Sequence, residues 1–299
     1  MEKMKQQLKL LFTDSGLGGL SIMAEAADFL IKEKPFESVD LIYFNSTPDK
    51  KIGYNKMPND DERIAVFNSA LYSMKEKYNP DFIFIACNTL SVIYEQTKFA
   101  KEEKVPVETI VKYGVNSMKE KLQSDPKSQV IILGTPTTIN KNTYKLKLIE
   151  SGIDETRIIN QACPDLESEI QINPESDKTR NLIQKYLAEA LEKLPDKSAK
   201  TFLSLCCTHY GFAEKVFESM MNELRYSNYE VINPNKKMVE SIKEKFKNTN
   251  CDQIQLSSKV VSKVIFFEDE ISSISKLIEK ISPLVADSLR DYELKEDLF

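Results

Sequence analysis

Two apolar runs in this chain stop in the same way, 207 − 87 = 120 positions apart. The first, Phe82 to Ala86, ends in Cys87-Asn88-Thr89; the second, Phe202 to Cys206, ends in Cys207-Thr208-His209. A short apolar run cut off by reactive polar residues reads as a buried strand delivering side chains at its carboxyl end, the edge where parallel sheets bind ligands. The spacing recurs. Leu10 to Ser15 lies 120 positions before Val130 to Thr135, and Leu41 to Phe44 lies near the same offset from Ile158 to Gln161. Three strand-like segments in near register imply a duplicated unit, and strands alternating with helices imply an α/β fold with mostly parallel sheets.

The length of 299 residues suits one large or two ordinary domains. No linker or low-complexity tract divides the chain, so a two-domain organisation rests on the internal echo. The net charge of −5 argues against a nucleic-acid surface, and the lysines spread along predicted helices are solvated faces. No apolar stretch approaches membrane-spanning length, so no membrane partner is expected. Met1 to Phe12 has lysines but too short an apolar run for a signal peptide. Five cysteines, an odd number without paired spacing, point to a reducing, cytoplasmic setting. One histidine and scattered thiols, with a vicinal Cys206-Cys207 pair rather than Cys-x-x-Cys, argue against a metal site.

Lys9 to Thr13 is expected as the first strand, running into Asp14-Ser15-Gly16-Leu17-Gly18-Gly19 and a helix over Leu20 to Glu33. Three of only 8 glycines lie in that turn, which is expected to use their positive φ or close backbone approach around a ligand. Ser21 replaces the third glycine of a dinucleotide fingerprint, and no Gly-Lys-Ser/Thr follows, so neither phosphate motif applies. Further strands are expected at Val39 to Asn45, up to Cys87, Val105 to Val111, from Gln129, near Ile158, up to Cys207, at Tyr229 to Ile232 and at Val264 to Phe267. Helices are expected over Asp60 to Lys77, from Cys87 to Glu103, from Asn140, over Asp177 to Leu194, from Tyr210 to Arg225, from Pro234 and over Glu270 to Leu289, with Arg290 to Phe299 frayed.

A cysteine at a strand end is most often a packed small hydrophobe, and Cys163, Cys206 and Cys251 keep that reading. Cys87 and Cys207 differ, because each ends its run at the ligand-binding edge beside polar neighbours. An ordinary thiol has a pKa of about 8.5 and serves as acid or base near neutrality. Two thiols facing one carbon could remove a proton from one face and return one to the other, inverting the centre without a cofactor. Asp14 is placed to act on Cys87, and His209, the single histidine, on Cys207.

In order and spacing, Asp14 to Gly19, Ala86 to Thr89, Gly134 to Thr138, Ala162 to Pro164 and Cys207 to Tyr210 resemble the motifs of glutamate racemase, in the aspartate/glutamate racemase superfamily. The likeness runs from about Leu10 to Ile281, and the Asp-Ser-Gly-x-Gly-Gly and Cys-Thr-His-Tyr forms look like the glutamate branch. The resemblance implies two similar domains related by a pseudo-twofold, with the active site in the cleft between them. It also implies that the end of the chain returns to the first domain, giving 1–103 with 213–299 as one domain and 104–212 as the other. By the same resemblance, Cys87 acts on D-glutamate with Asp14 beside it, and Cys207 on L-glutamate with His209 beside it. Ser15, Gly53, Tyr54, Asn88, Thr89, Thr135, Thr138 and Thr208 match positions that hold the substrate. The implied partner is a small amino acid, the implied cofactor none, and the candidate assembly a homodimer; the implied role is supplying D-glutamate for cell-wall precursors.

Two departures mark a divergent member. The family's Pro-Tyr-Gly loop corresponds to Ile52-Gly53-Tyr54, with the order changed, and Gln171 stands where a glutamate is usual, so that a carboxylate on the His209 side is either missing or replaced by Glu169. An isomerase or decarboxylase of another small acid, and a racemase-like binding protein without turnover, are the competing readings. Two thiols favour a two-base reaction over a one-cysteine decarboxylase, and retention of Asp14 and His209 argues against lost turnover.

Overall fold

A computed structural model of the chain describes residues 7–49, 51–247 and 251–299. Residues 1–6, half of the stretch read above against a signal peptide, lie outside the described residues. In chain order the described strands are β1 (Gln7–Asp14), β2 (Ser38–Asn45), β3 (Phe82–Ile85), β4 (Val107–Thr109), β5 (Gln129–Gly134), β6 (Ile158–Ala162), β7 (Thr201–Cys206), β8 (Tyr229–Ile232), β9 (Gln255–Ser262) and β10 (Glu293–Leu294). They form two sheets, one in the order β10-β9-β2-β1-β3-β4 and the other in the order β6-β5-β7-β8. Every pairing in both sheets is parallel.

The echo in the sequence is an echo in the pairing. Leu10 sits opposite Phe82 in the first sheet, and Val130 opposite Phe202 in the second, so both partners shift by the same 130 − 10 = 202 − 82 = 120 positions. The order β2-β1-β3-β4 is thus repeated as β6-β5-β7-β8. The first unit runs up to Thr109 and resumes over Met238–Phe299; the second is Ile110–Lys237. Among the described residues no helix is long and apolar enough to cross a membrane.

Helices cover both faces of a parallel sheet, so its central strands are apolar on both sides. Leu10, Leu11 and Phe12 of β1 and Val130 to Leu133 of β5 are accordingly inaccessible to solvent. In the first unit the helix Asp60–Tyr78 starts where Asn59 accepts the Glu62 N–H at 2.9 Å and three acids fill its first turn, satisfying the positive end. It stops at Asn79, which takes the left-handed conformation. In the second unit Leu203 and Leu205 of β7 share a core with Ile131, Leu133, Ile183, Leu187, Phe217 and Met221.

Several expectations are corrected. Residues 213–237 lie in the second unit, because β8 pairs with β7 and Phe217, Met220 and Met221 pack into that unit's core. The late strand is Gln255–Ser262, running along β2 from Ser38↔Gln255 to Asn45↔Ser262, and not Val264 to Phe267. The helix expected over Glu270 to Leu289 is two, Glu268–Glu279 and Pro283–Arg290, the second opened by Ser282, which caps the Val285 N–H. The strand expected to reach Val111 ends at Thr109, where the helix Ile110–Ser124 begins. The helix expected from Cys87 to Glu103 is likewise two, Asn88–Tyr94 and Lys98–Glu102. Arg290 to Phe299 is not frayed. β10 pairs with β9, Leu298 is fully buried with its carbonyl accepting from Ser73, and the Phe299 ring packs on Phe44 at 5.7 Å.

Candidate active site

In the first unit, β1 ends at Asp14 and the chain turns into the helix Leu20–Glu33. The end of β2 pins this turn. Tyr43 Oη and Asn45 Nδ2 both donate to the Gly16 carbonyl at 2.8 Å, and Thr47 Oγ1 donates to the Ser15 carbonyl at 2.8 Å. Asp14, 1% exposed, accepts the Gly19 N–H at 2.7 Å, which places a buried carboxylate at the positive end of a helix. Gly19 is needed for space and not for positive φ, since its φ is −66°. A Cβ on it would stand 2.9 Å from Ala86 Cβ and 3.0 Å from Asp14 Oδ2.

That close approach brings the turn against the end of β3. Ser15 Oγ lies 3.1 Å from Cys87 Sγ. The Cys87 thiol is pushed well up from its ordinary value, chiefly by burial and then by the negative charge of Asp14. The Ser15 hydroxyl and the Ser15 and Leu90 backbone N–H groups oppose that shift. Asn88 and Thr89 follow directly, both buried, in the first turn of the helix Asn88–Tyr94. Tyr54 feels this thiol electrostatically: burial raises its phenol most, and Cys87 adds to the rise. The ring is 2% exposed, and the hydroxyl is buried without a hydrogen-bond partner among the described residues. The reordered loop therefore still places a tyrosine within electrostatic range of Cys87. Gly53 gives no comparable signal, because a Cβ there meets nothing within 4 Å.

In the second unit, Cys207 continues β7 in an extended conformation and begins a tight turn over Thr208–Ala213. Alternation along the strand separates the vicinal cysteines. Cys207 lies with Leu203 and Leu205 in the core cluster, whereas Cys206 Sγ is 3.3 Å from Ser204 Oγ and is also bonded by Tyr144. Cys207 Sγ lies 3.8 Å from His209 Nδ1, and His209 Nε2 lies 2.8 Å from Gln171 Oε1. Cys207 and His209 are 6% and 5% exposed. Glu169 holds Lys178 at 2.6 Å, while Gln171 is the residue that meets the histidine. Thr135 caps the short helix Pro136–Asn140 and donates its hydroxyl to Thr138 Oγ1 at 3.0 Å. Thr208 is buried, and its carbonyl accepts from Asn235 at 2.9 Å.

The first unit thus gathers Asp14, Ser15, Tyr54, Asn88 and Thr89 around the Cys87 segment. The second gathers His209 at Cys207, with Thr135 and Thr138 after β5, the strand paired to β7. Two residues escaped a reading for roles. Tyr43 braces the turn and feels both Asp14 and Cys87, and Gln171 touches the single histidine. Only the family position of Gln171 pointed to it. Cys163 is wholly buried, its thiol pushed up by burial, as a packed cysteine would be. Among the described residues no group of three or more His, Cys, Asp or Glu side chains is placed to hold a metal ion.

Repeated parallel-sheet units that each end a central strand in a thiol define a duplicated α/β protein, and solved structures share that fold. Glutamate racemase from Francisella tularensis, in complex with D-glutamate, superposes with a TM-score of 0.69 at 19% identity, over 99% of this chain and all of the other. The enzyme from Aquifex pyrophilus gives 0.65 at 24% identity, over 98% of this chain and all of the other. In sequence, the Aquifex pyrophilus glutamate racemase is 27% identical over 291 residues, covering 96% of this chain and 97% of the relative. Glutamate racemase 3 of Caldanaerobacter subterraneus is 26% identical over 240 residues, covering 79% and 78%. No family model matches the chain. It is a divergent relative of the glutamate racemases.

Proposed function

We propose that the chain racemises glutamate without a cofactor, using Cys87 and Cys207 as the two bases. The observation that supports this most is the equivalence of the two thiols. They stand 120 positions apart, each just past a central parallel strand, each with its own polar partner. In the L-to-D direction the Cys207 thiolate takes the α-proton of L-glutamate, and the electron pair of the broken C–H bond passes into the carboxylate. The Cys87 thiol then delivers its proton to the opposite face, leaving D-glutamate, a Cys87 thiolate and a Cys207 thiol. The reverse reaction resets both.

The surroundings suit these roles. Burial and Asp14 keep Cys87 protonated, which is the state a proton donor needs, and Ser15 offers a hydroxyl to the thiolate formed when it gives its proton away. His209 sits where it can receive the proton of Cys207 and so make the thiolate that begins the reaction. Ser15, Tyr54, Asn88, Thr89, Thr135, Thr138 and Thr208 supply hydroxyls, amides and backbone N–H groups for the substrate's ammonium and carboxylates without adding a competing base. D-glutamate for cell-wall precursors is the corresponding product.

The test is to add L- or D-glutamate, and aspartate in parallel, to purified protein stripped of metal and pyridoxal phosphate and to follow optical rotation. Decay to zero rotation from both glutamate enantiomers is expected, with aspartate slower. Constant rotation with every acid tried would favour a binding protein.

A further inference from the structure

We propose that Gln171 is a positioning residue that fixes the single histidine in one neutral tautomer, aiming its lone pair at the Cys207 thiol. This deepens the two-base reading, on which it rests for its consequence, although the tautomer itself can be measured without turnover. The amide oxygen of Gln171 lies 2.8 Å from His209 Nε2. An amide oxygen only accepts, so Nε2 carries the proton, and in a neutral imidazole Nδ1 is then the acceptor. Nδ1 is the nitrogen that lies 3.8 Å from Cys207 Sγ. The opposite tautomer would set two acceptors against each other at Nε2 and point an N–H at the sulfur.

The helix Leu166–Ile172 makes this contact by burying Leu166 and Ile170 in the core that also holds Cys207 and Tyr210. The proton step within the pair is then balanced. The Cys207 S–H bond breaks, its electron pair stays on sulfur, the proton joins Nδ1, and a thiolate faces an imidazolium whose Nε2–H still donates to Gln171.

Because Gln171 is neutral, it orients the ring without favouring the imidazolium. The charged and titratable groups on the elements packed here have the following partners. On the Leu166–Ile172 helix, Glu169 holds Lys178, and Glu167 acts on Cys163, Tyr186 and Tyr210. Just before that helix Asp165 acts on Tyr186. On the helix after the turn, Glu214 binds Asn233 and Lys236. Tyr210 lies within the turn and Cys207 at its start, and burial raises the Tyr210 phenol well above its ordinary value. An amide in place of a carboxylate at Nε2 leaves the imidazolium without an added counter-charge there.

One histidine in the chain gives one imidazole signal, so the tautomer can be read directly from the full-length protein grown with labelled histidine ring nitrogens. The two ring nitrogens are to be recorded by two-bond proton–nitrogen correlation across pH in wild type, Gln171→Leu and Gln171→Glu. In wild type at neutral pH, Nε2 is expected to be the protonated nitrogen and Nδ1 the bare one. Gln171→Leu is expected to mix the tautomers. Gln171→Glu, placing an opposite charge beside the ring, is expected to raise the imidazole midpoint by roughly one unit or more, about tenfold in proton affinity. A wild-type ring protonated on Nδ1 would overturn the proposal even if neither variant folded, as would a tautomer ratio and midpoint shared by wild type and both folded variants. A silent optical-rotation assay with the expected tautomer would leave the positioning role intact and remove the racemase reading alone.

Discussion

The thiols at the ends of β3 and β7 occupy the same step of a repeated sheet, yet their surroundings differ in kind. Cys87 is held by a hydroxyl and shadowed by a buried carboxylate, which with burial makes its proton hard to lose. Cys207 faces an imidazole nitrogen backed by a neutral amide, so its proton has somewhere to go. Duplication supplies two equivalent backbone positions; the side chains around them give the halves opposite resting tasks. On the proposed mechanism, one end donates a proton and the other accepts one.

The comparison breaks most decisively at the sulfurs. Cys87→Ala and Cys207→Ala should each lower glutamate racemisation about 10³-fold or more, since a proton passed between two bases fails when either is missing. Cys206→Ala, on the other side of β7, should stay near wild type. Near-normal racemisation by either of the first two variants removes the two-base account. Next in size is His209→Asn, expected to lower kcat/KM by about 10²-fold. The enantiomers are equally stable, so kcat/KM must fall equally in both directions, and the lesion should appear instead as a larger α-deuterium isotope effect from L-glutamate than from D-glutamate. Equal isotope effects from both enantiomers would contradict the assignment of His209 to one thiol.

Smaller effects sharpen the Cys87 side. Ser15→Ala removes a hydrogen bond to Cys87 worth about 1 kcal/mol, so kcat should drop roughly fivefold. An unchanged kcat would mean that the hydroxyl is not used in turnover. Tyr54→Phe deletes a buried hydroxyl that has no hydrogen-bond partner among the described residues, so the melting temperature should hold or rise. KM for glutamate should rise a few-fold if that hydroxyl contacts substrate; a fall in stability with KM unchanged would make it structural.

The smallest effect lies in alkaline stability. Burial raises the Cys206 thiol from 9.0 to about 12, so the folded state holds that proton more tightly than the unfolded chain does. The corresponding stability is fully present below pH 9, is lost as pH rises above it, and is gone beyond about 12. Cys206→Ala should flatten this loss, as urea titrations at rising pH would reveal. An identical pH dependence in the variant would show that the thiol does not contribute.

What could be read in the sequence followed physical contrast. β1, β3, β5 and β7 are largely buried on both faces, so they appear as nearly continuous apolar runs and reveal the duplication. β9 does not. Its first residues alternate between exposed and half-buried, and the polar sequence Ser257-Ser258-Lys259 hides a strand that pairs along the full length of β2. The apolar Val264 to Phe267 misleads for the opposite reason: Ile265 and Phe267 are 62% and 59% exposed in a loop. The acidic 293–297 stretch likewise conceals a tail anchored by Leu298 and Phe299. At the site, the thiols, Asp14, Ser15 and His209 were legible because turn glycines and strand ends concentrate them. Gln171 was harder, because its contact depends on how the helix Leu166–Ile172 packs beside the turn, and only three-dimensional placement makes an amide the partner of a distant imidazole.

The central claim is that the α-proton is removed by one thiol and replaced by another. Racemisation of L-glutamate in heavy water, stopped at a few per cent conversion and read by mass spectrometry of the separated enantiomers, tests it most directly. Two monoprotic bases on opposite faces predict that the D-glutamate formed carries solvent deuterium at the α-carbon, while the recovered L-glutamate keeps most of its protium. D-glutamate that retains the substrate's own proton would mean that a single base carries it across, and would contradict the account.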